Sequence, residues 1–243
     1  MGRQSSKTKH AAGFSLLELI IAMSITLVVL GIASTLLARS FNVRKREDQR
    51  TDALADAQRA LTTMTHEIAN AGFNLTTNGI VNADSQVDAS GNGSIRVRAN
   101  LNKFDSTVTA AARNGIGTAT ADAGEDIKYF VVQTANTSYL ARYDRYAGPP
   151  TVLANRIDTF RVQFYDERVT YTTGTCSAPL SNVKNKSGVA EAQVSPSLAK
   201  YVVLAICVEM EAVGKPDSPG YQPASRVLLV SDVALRNAST ANY

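Results

Sequence analysis

The sequence predicts an α+β protein in which a long N-terminal helix lies on an antiparallel β-sheet. Three observations predict it. A charge-free apolar run at residues 19–38 continues into a charged, helix-compatible stretch. Leu54, Leu61 and Ile68 then recur every seven residues, with Ala57, Met64 and Ala71 three residues after each. After Gly72 the texture changes to short alternating runs separated by Asn-, Ser-, Thr- and Gly-rich segments. Helical period first and period-two alternation afterwards put helix and strands in separate parts of the chain, the α+β pattern.

The chain has 243 residues, of which 44% are hydrophobic, enough for one or two domains with a real core. The formal net charge of +4 is unevenly placed. Arg3, Lys7 and Lys9 lie within residues 1–13, where there is no acid. Beyond them the basic and acidic side chains nearly balance. A nucleic-acid binder would keep its excess in the folded part, so no nucleic-acid partner is expected.

The apolar run is about 20 residues long, enough to span a hydrocarbon core as a helix. A signal peptide has a shorter apolar region, about 7–15 residues, followed by a small-residue cleavage site. The longer run and its helical continuation predict a retained helix. Basic residues flank both ends, Arg3, Lys7 and Lys9 before it and Arg39, Arg44, Lys45 and Arg46 after it. Charge alone therefore leaves the orientation open. Glu18 lies at the start of the run, and an acid in lipid is costly. It either reaches the interface from the helix end or has a partner.

Residues 44–53 contain no large apolar side chain apart from the stems of basic residues. From Leu54 the heptad-spaced stripe begins, and it reads as the face that lies on the protein's own sheet. A coiled coil is the alternative, but fewer than three heptads are present. Gly72 is a plausible helix stop. A helix from Phe14 to Ala71 would be roughly 85 Å long at ~1.5 Å per residue.

The strand candidates come next. "SIRVRA" (94–99) alternates apolar and basic residues. "DIKYFVVQ" (126–133) and "SYLARYD" (138–144) form a hairpin candidate. "DTFRVQFYDE" (158–167) puts Phe160, Val162 and Phe164 on one face. "AKYVVLAICVEMEA" (199–212) and "RVLLVSDVAL" (226–235) are joined by the proline-rich "GKPDSPGYQPA" (214–224). Residues 82–94 and 106–124 read as loops.

"GFSLLELIIAMSI" resembles the N-terminal motif of type IV prepilins and type II secretion pseudopilins. The match consists of Gly13, Phe14, an acid four positions later at Glu18, and the long apolar run, after a short basic leader. The resemblance implies that a prepilin peptidase cuts between Gly13 and Phe14 and methylates the new amine on Phe14. It implies that Glu18 pairs with the N-terminal amine of a neighbouring subunit during assembly. Major pilins commonly carry a proline in this apolar half, where this chain has only Gly31. Further along, "GEDIKYFVVQ", "SYLARYDR" and "VLANRIDTFRVQFYDE" resemble the body of PilW-type minor pilins and J-type minor pseudopilins. Leu153, Ile157 and Phe160 occupy the places of their strand-entry pattern, with isoleucine for valine.

The expected organisation is a leader at 1–13, a membrane or filament-core half-helix at 14–38, an amphipathic half-helix at 39–72 and a β domain at 73–243. Cys176 and Cys207 pair if the body lies outside the cytoplasm. The alternative is a buried Cys207 and a free Cys176 in a loop.

Catalytic and metal motifs are incomplete. "HEIAN" (66–70) begins like a zinc-protease motif but has Asn70 where the second histidine of the pair with His66 must be. No G-x-S-x-G elbow occurs. Asp84, Asp88 and Asn92 share a loop, but their spacing misses the EF-hand pattern and no closing glutamate follows. The chain is therefore expected to be no enzyme, with no cofactor and no metal. The resemblance implies a minor pilin that primes or caps assembly of a type IV pilus. Its implied partners are other minor and major pilins, the prepilin peptidase and an inner-membrane assembly platform. It would sit first in the inner membrane, with a periplasmic body, and then in the pilus. The rivals are a J-type pseudopilin and a membrane-anchored periplasmic binding or adhesion domain.

Overall fold

The computed structural model describes residues 15–88, 91–101, 120, 122–134, 138–218 and 220–238. Helix α1 spans Leu16–Ala69. The strands are β1 (Ser94–Arg98), β2 (Asp126–Gln133), β3 (Ser138–Asp144), β4 (Thr151–Asn155), β5 (Ile157–Tyr165), β6 (Thr170–Thr173), β7 (Leu180–Lys184), β8 (Tyr201–Met210) and β9 (Ser225–Ala234). Every strand pairing among them is antiparallel. The chain divides into two compact units. One is the chain to Arg46 with Val213–Gln222, and the other is Glu47–Ala212 with Pro223 onward.

In the second unit the helix buries Ala53, Ala57, Ala60, Leu61, Met64 and Ile68. These residues belong to one core with Ile95, Val97, Ile127, Tyr129, Leu140, Phe160, Leu204 and Ile206 from the strands. Alanine predominates on this face, so the helix backbone can lie close to the sheets. The heptad-spaced stripe is thus a sheet-facing stripe. The regular helix ends at Ala69, and Gly72 adopts φ 78°. Its N–H donates to the Arg98 carbonyl at 2.9 Å, which turns the chain onto β1.

One antiparallel sheet was the expectation; the strands form three, ordered β1-β2-β3-β4, β5-β8-β9 and β6-β7. The break between the two larger sheets falls at Arg156, between β4 and β5. Its φ of 61° is left-handed, a conformation that interrupts a strand. The hairpin of β2 and β3 forms with Gln133 opposite Ser138. β8 is buried along nearly its whole length. Val202, Leu204, Ile206 and Val208 enter the main core, while Tyr201 and Val203 join a second cluster with Tyr165 and Val169. Tyr171, Leu180 and Val183 of the β6–β7 hairpin pack on that second cluster. This covering of both faces explains why β8 reads as a continuous apolar run rather than an alternating one. The loop expected at 106–124 lies mostly outside the described residues.

A polar clamp fixes the helix on the first sheet. Glu67 on α1 accepts two hydrogen bonds from Arg142 on β3, from Nη2 at 2.9 Å and from Nε at 3.1 Å. The Tyr129 hydroxyl on β2 donates to the same carboxylate. Two strands thereby hold one helix residue; if it is removed, Tyr129 loses this acceptor and Arg142 is left with Asp144 at 3.6 Å. Replacing Glu67 with alanine is expected to cost about 2–3 kcal/mol, the range for charged hydrogen bonds at a partly buried site. Urea unfolding of the full chain in detergent measures this. Glu67→Gln, which keeps an acceptor, should lose less.

The second cluster responds to alkali. Burial and a hydrogen bond to Asp232 push the Tyr201 hydroxyl up to about 12. Burial raises Tyr171 as well, and its hydroxyl donates to Asp232 at 3.1 Å. A raised tyrosine pKa means that the folded chain holds the proton more tightly than the unfolded chain. The resulting stability is complete below the ordinary tyrosine value of about 10 and is lost as pH rises through the folded value. Thermal unfolding should therefore move to lower temperature between pH 10 and about 12. Tyr201→Phe should flatten that slope.

Candidate functional site

The first part of α1 is apolar around its whole circumference. Leu27, Val28, Val29 and Leu30 are consecutive, so they project about 100° apart around the helix, and all are more than half exposed. Among the described residues, α1 is the one helix long and apolar enough to cross a membrane, and none of its apolar window is buried within the chain. A helix with no polar face needs lipid or protein around it. Three of its hydroxyls are satisfied internally. Ser24 Oγ donates to the Ile20 carbonyl and Thr26 Oγ1 to the Ala22 carbonyl, each at 2.8 Å. Thr35 Oγ1 donates to the Ile32 carbonyl at 2.8 Å. A helix whose hydroxyls bond to its own backbone can enter a hydrocarbon phase without leaving them unpaired. The helix passes through Gly31 without interruption, so glycine does not break it.

Glu18 is exposed in the first helical turn. The exposed N–H groups and partial positive charge of a helix N-terminus favour an acid there. Gly13 and Phe14 lie outside the described residues, so the structure assigns no geometry to the expected cleavage point.

The apolar stretch ends at Arg39, and there the first unit gains its second segment. Val213 and Gln222 exchange backbone hydrogen bonds, each at 2.9 Å, and close the loop between them. Inside it, Ser218 Oγ donates to the Lys215 carbonyl at 2.6 Å. The loop backbone rests on the helix. A Cβ added at Gly220 would lie 2.9 Å from Arg39 Cα, and one added at Gly214 would lie 3.6 Å from Asn42 Nδ2. Asn42 and Arg46 are half-buried, while Arg44 and Lys45 on the other faces are exposed. Nothing in the sequence signalled this contact. A run of glycine and proline reads only as a turn, and the contact is made by backbone rather than by side-chain pattern.

The remaining candidates are already committed to structural contacts. Asp84 accepts Lys128 Nζ at 2.8 Å and Arg96 Nη1 at 2.6 Å. Lys128 and Arg96 together hold its carboxyl below the usual range. Asp88 Oδ1 accepts the Asn92 N–H at 2.8 Å, and Asn92 Oδ1 accepts the Phe160 N–H at 3.1 Å. The loop acids are thus aimed at different partners instead of one cation. Asp126, with its side chain 1% exposed, accepts Arg96 Nε at 2.6 Å and lies 3.3 Å from Arg98 Nε. This ion-pair network lines a groove of about 790 Å³ shared with Phe130, Tyr143 and Arg145. His66 is exposed on the helix, and Asn70 lies one turn on. Cys176 in the β6–β7 connection is bonded to Cys207 on β8, with Cα atoms 5.5 Å apart.

Residues 8–34 match the family described as the prokaryotic N-terminal methylation motif. No curated protein matches the sequence. Among solved structures, the type IV-like pilin TTHA1219 from Thermus thermophilus is similar over 76% of this chain and 96% of its own, at 10% identity and a TM-score of 0.40. The matched motif stands at the head of an all-round apolar helix, and that helix ends on antiparallel sheets.

Gly220 is the residue on which the loop contact depends. Its φ of 83° is left-handed, and any side chain there meets the Arg39 backbone. Gly220→Val should therefore lift the loop. Hydrogen exchange at the Val213 and Gln222 amides should quicken, while the amides of β8 stay protected.

Proposed function

We propose that this chain is a minor pilin that primes or caps a type IV pilus from the inner membrane. The observation that carries the reading is the coincidence of the methylation motif with an apolar helix segment that is not buried against any of the described residues. The leader is removed between Gly13 and Phe14, and the new Phe14 amine is methylated. The methylated amine keeps its charge. The helix then waits in the bilayer with its body in the periplasm. Assembly exchanges lipid for the apolar helices of neighbouring subunits, so the hydrophobic burial is kept while the chain moves.

Glu18 gives that exchange a direction and a register. An acid within lipid costs about 2.5–3.5 kcal/mol on insertion scales. The amine of a neighbouring pilin relieves this cost only at one axial offset, because an unpaired buried charge is strongly unfavourable. The partners are accordingly other minor and major pilins, the prepilin peptidase and a membrane assembly platform. The bond between Cys176 and Cys207 supports a body outside the cytoplasm, where disulfides persist.

N-terminal sequencing of the membrane form tests the processing step. The expected mature chain begins at N-methyl-Phe14; a chain that still begins at Met1 overturns the reading. Glu18→Val tests the pairing. The variant should be inserted and cleaved normally but should largely disappear from sheared filaments, and incorporation at the normal level would remove the trans ion pair.

A further inference from the structure

The unit formed by the helix end and Val213–Gln222 has a charge imbalance that the assembly reading does not use. Residues 39–46 and 213–222 hold Arg39, Arg44, Lys45, Arg46 and Lys215, against Asp217 as the one carboxylate. The next acids along the chain, Glu47 and Asp48, come farther from the apolar run. The loop touches the helix at Arg39, the first charged residue after that run, through the backbone of Gly220. If the run fills the hydrocarbon layer, the loop lies at the level where hydrocarbon gives way to headgroups. Tyr221, next to Gly220, is half-buried. Tyrosine favours that depth because its ring is apolar and its hydroxyl is not.

We propose that Val213–Gln222 and the helix end together form a collar that binds anionic phospholipid headgroups. The surface is positive where the membrane surface is negative, and it is continuous with the segment that spans the lipid. Lys215 brings a cation from a distant part of the sequence next to Gly214, which faces the helix at Asn42. Exposed Arg44 and Lys45 extend the charge around the helix. Lysine and arginine near an anionic surface contribute about 1 kcal/mol each. The collar sets how deeply the helix sits before assembly. This inference rests on the membrane-inserted state of the proposed function.

The chain contains no tryptophan, so Tyr221→Trp supplies a single indole probe on the loop itself. The full-length variant is reconstituted into phosphatidylcholine vesicles with increasing phosphatidylglycerol, and quenching of the indole fluorescence is measured with acrylamide and with lipids brominated near the headgroup. Phosphatidylglycerol should shield the probe from acrylamide and expose it to the bromines. Adding Lys215→Glu should raise the phosphatidylglycerol needed for half-maximal shielding by about fivefold or more, the factor to which ~1 kcal/mol per surface charge corresponds. Lys215 is exposed, so this change leaves the loop fold intact. A probe that stays equally open to acrylamide with and without phosphatidylglycerol, on a chain that resists carbonate extraction, overturns the collar alone. A chain that carbonate removes overturns the membrane-inserted state and the collar with it. Equal shielding by inorganic phosphate over neutral vesicles would also overturn the lipid assignment.

Discussion

The constraint on which the structure depends is that α1 must satisfy two different surroundings along one continuous backbone. Its first part exposes leucine, isoleucine and valine in every direction and buries none of them against its own chain. Its last part buries a single face against the strands. A soluble helix would keep one face polar throughout. Here the polar face is missing along the unburied apolar part, and it reappears where the chain supplies its own sheet. The decade between, residues 44–53, is rich in charge and separates the two parts.

The folded body is organised to hold the second of these parts firmly. Alanines bring the helix backbone close to the strands, and the Glu67 carboxylate fixes its position along the sheet by receiving donors from two strands. Arg96 performs a similar task at the sheet edge, joining Asp84 and the buried Asp126. A carboxylate as buried as Asp126 requires such partners, because an unpaired buried charge is costly. These ion pairs are therefore conditions of the fold.

Much of the helix and of the strand order was legible in the sequence because both are periodic. The stripe through Leu54, Leu61 and Ile68 has one interpretation once a sheet follows it, and 126–133 and 138–144 are strands at the bounds their alternation suggests. β4 was missed because Thr151–Asn155 is mostly exposed and has little apolar pattern. β6 and β7 were missed for the same reason, being short and largely polar. The division into separate sheets turns on the backbone of Arg156, and nothing in an arginine announces a left-handed φ. The partners of Glu67, Asp84 and Asp126 are distant in sequence, so they emerge only from strand register. For the helix motif the situation is reversed. Gly13, Phe14 and Glu18 were singled out by the resemblance of their motif to a known family, while the structure describes only the last of them.

The closure of the 213–222 loop follows from the strands that carry it. β8 and β9 pair in unbroken register from Tyr201 opposite Ala234 to Met210 opposite Ser225. β8 is also the strand that carries the disulfide and fills both hydrophobic clusters. The two ends of the loop therefore leave a thoroughly anchored hairpin, and the Val213–Gln222 hydrogen bonds bring them together again beyond it. Closing a loop between ends already held close adds little entropy cost. Such a loop can present a defined backbone surface despite its glycines and prolines. Gly220 then becomes intelligible: a loop with a fixed backbone can approach the helix at Arg39 to within van der Waals contact, and only a residue without a side chain permits that approach.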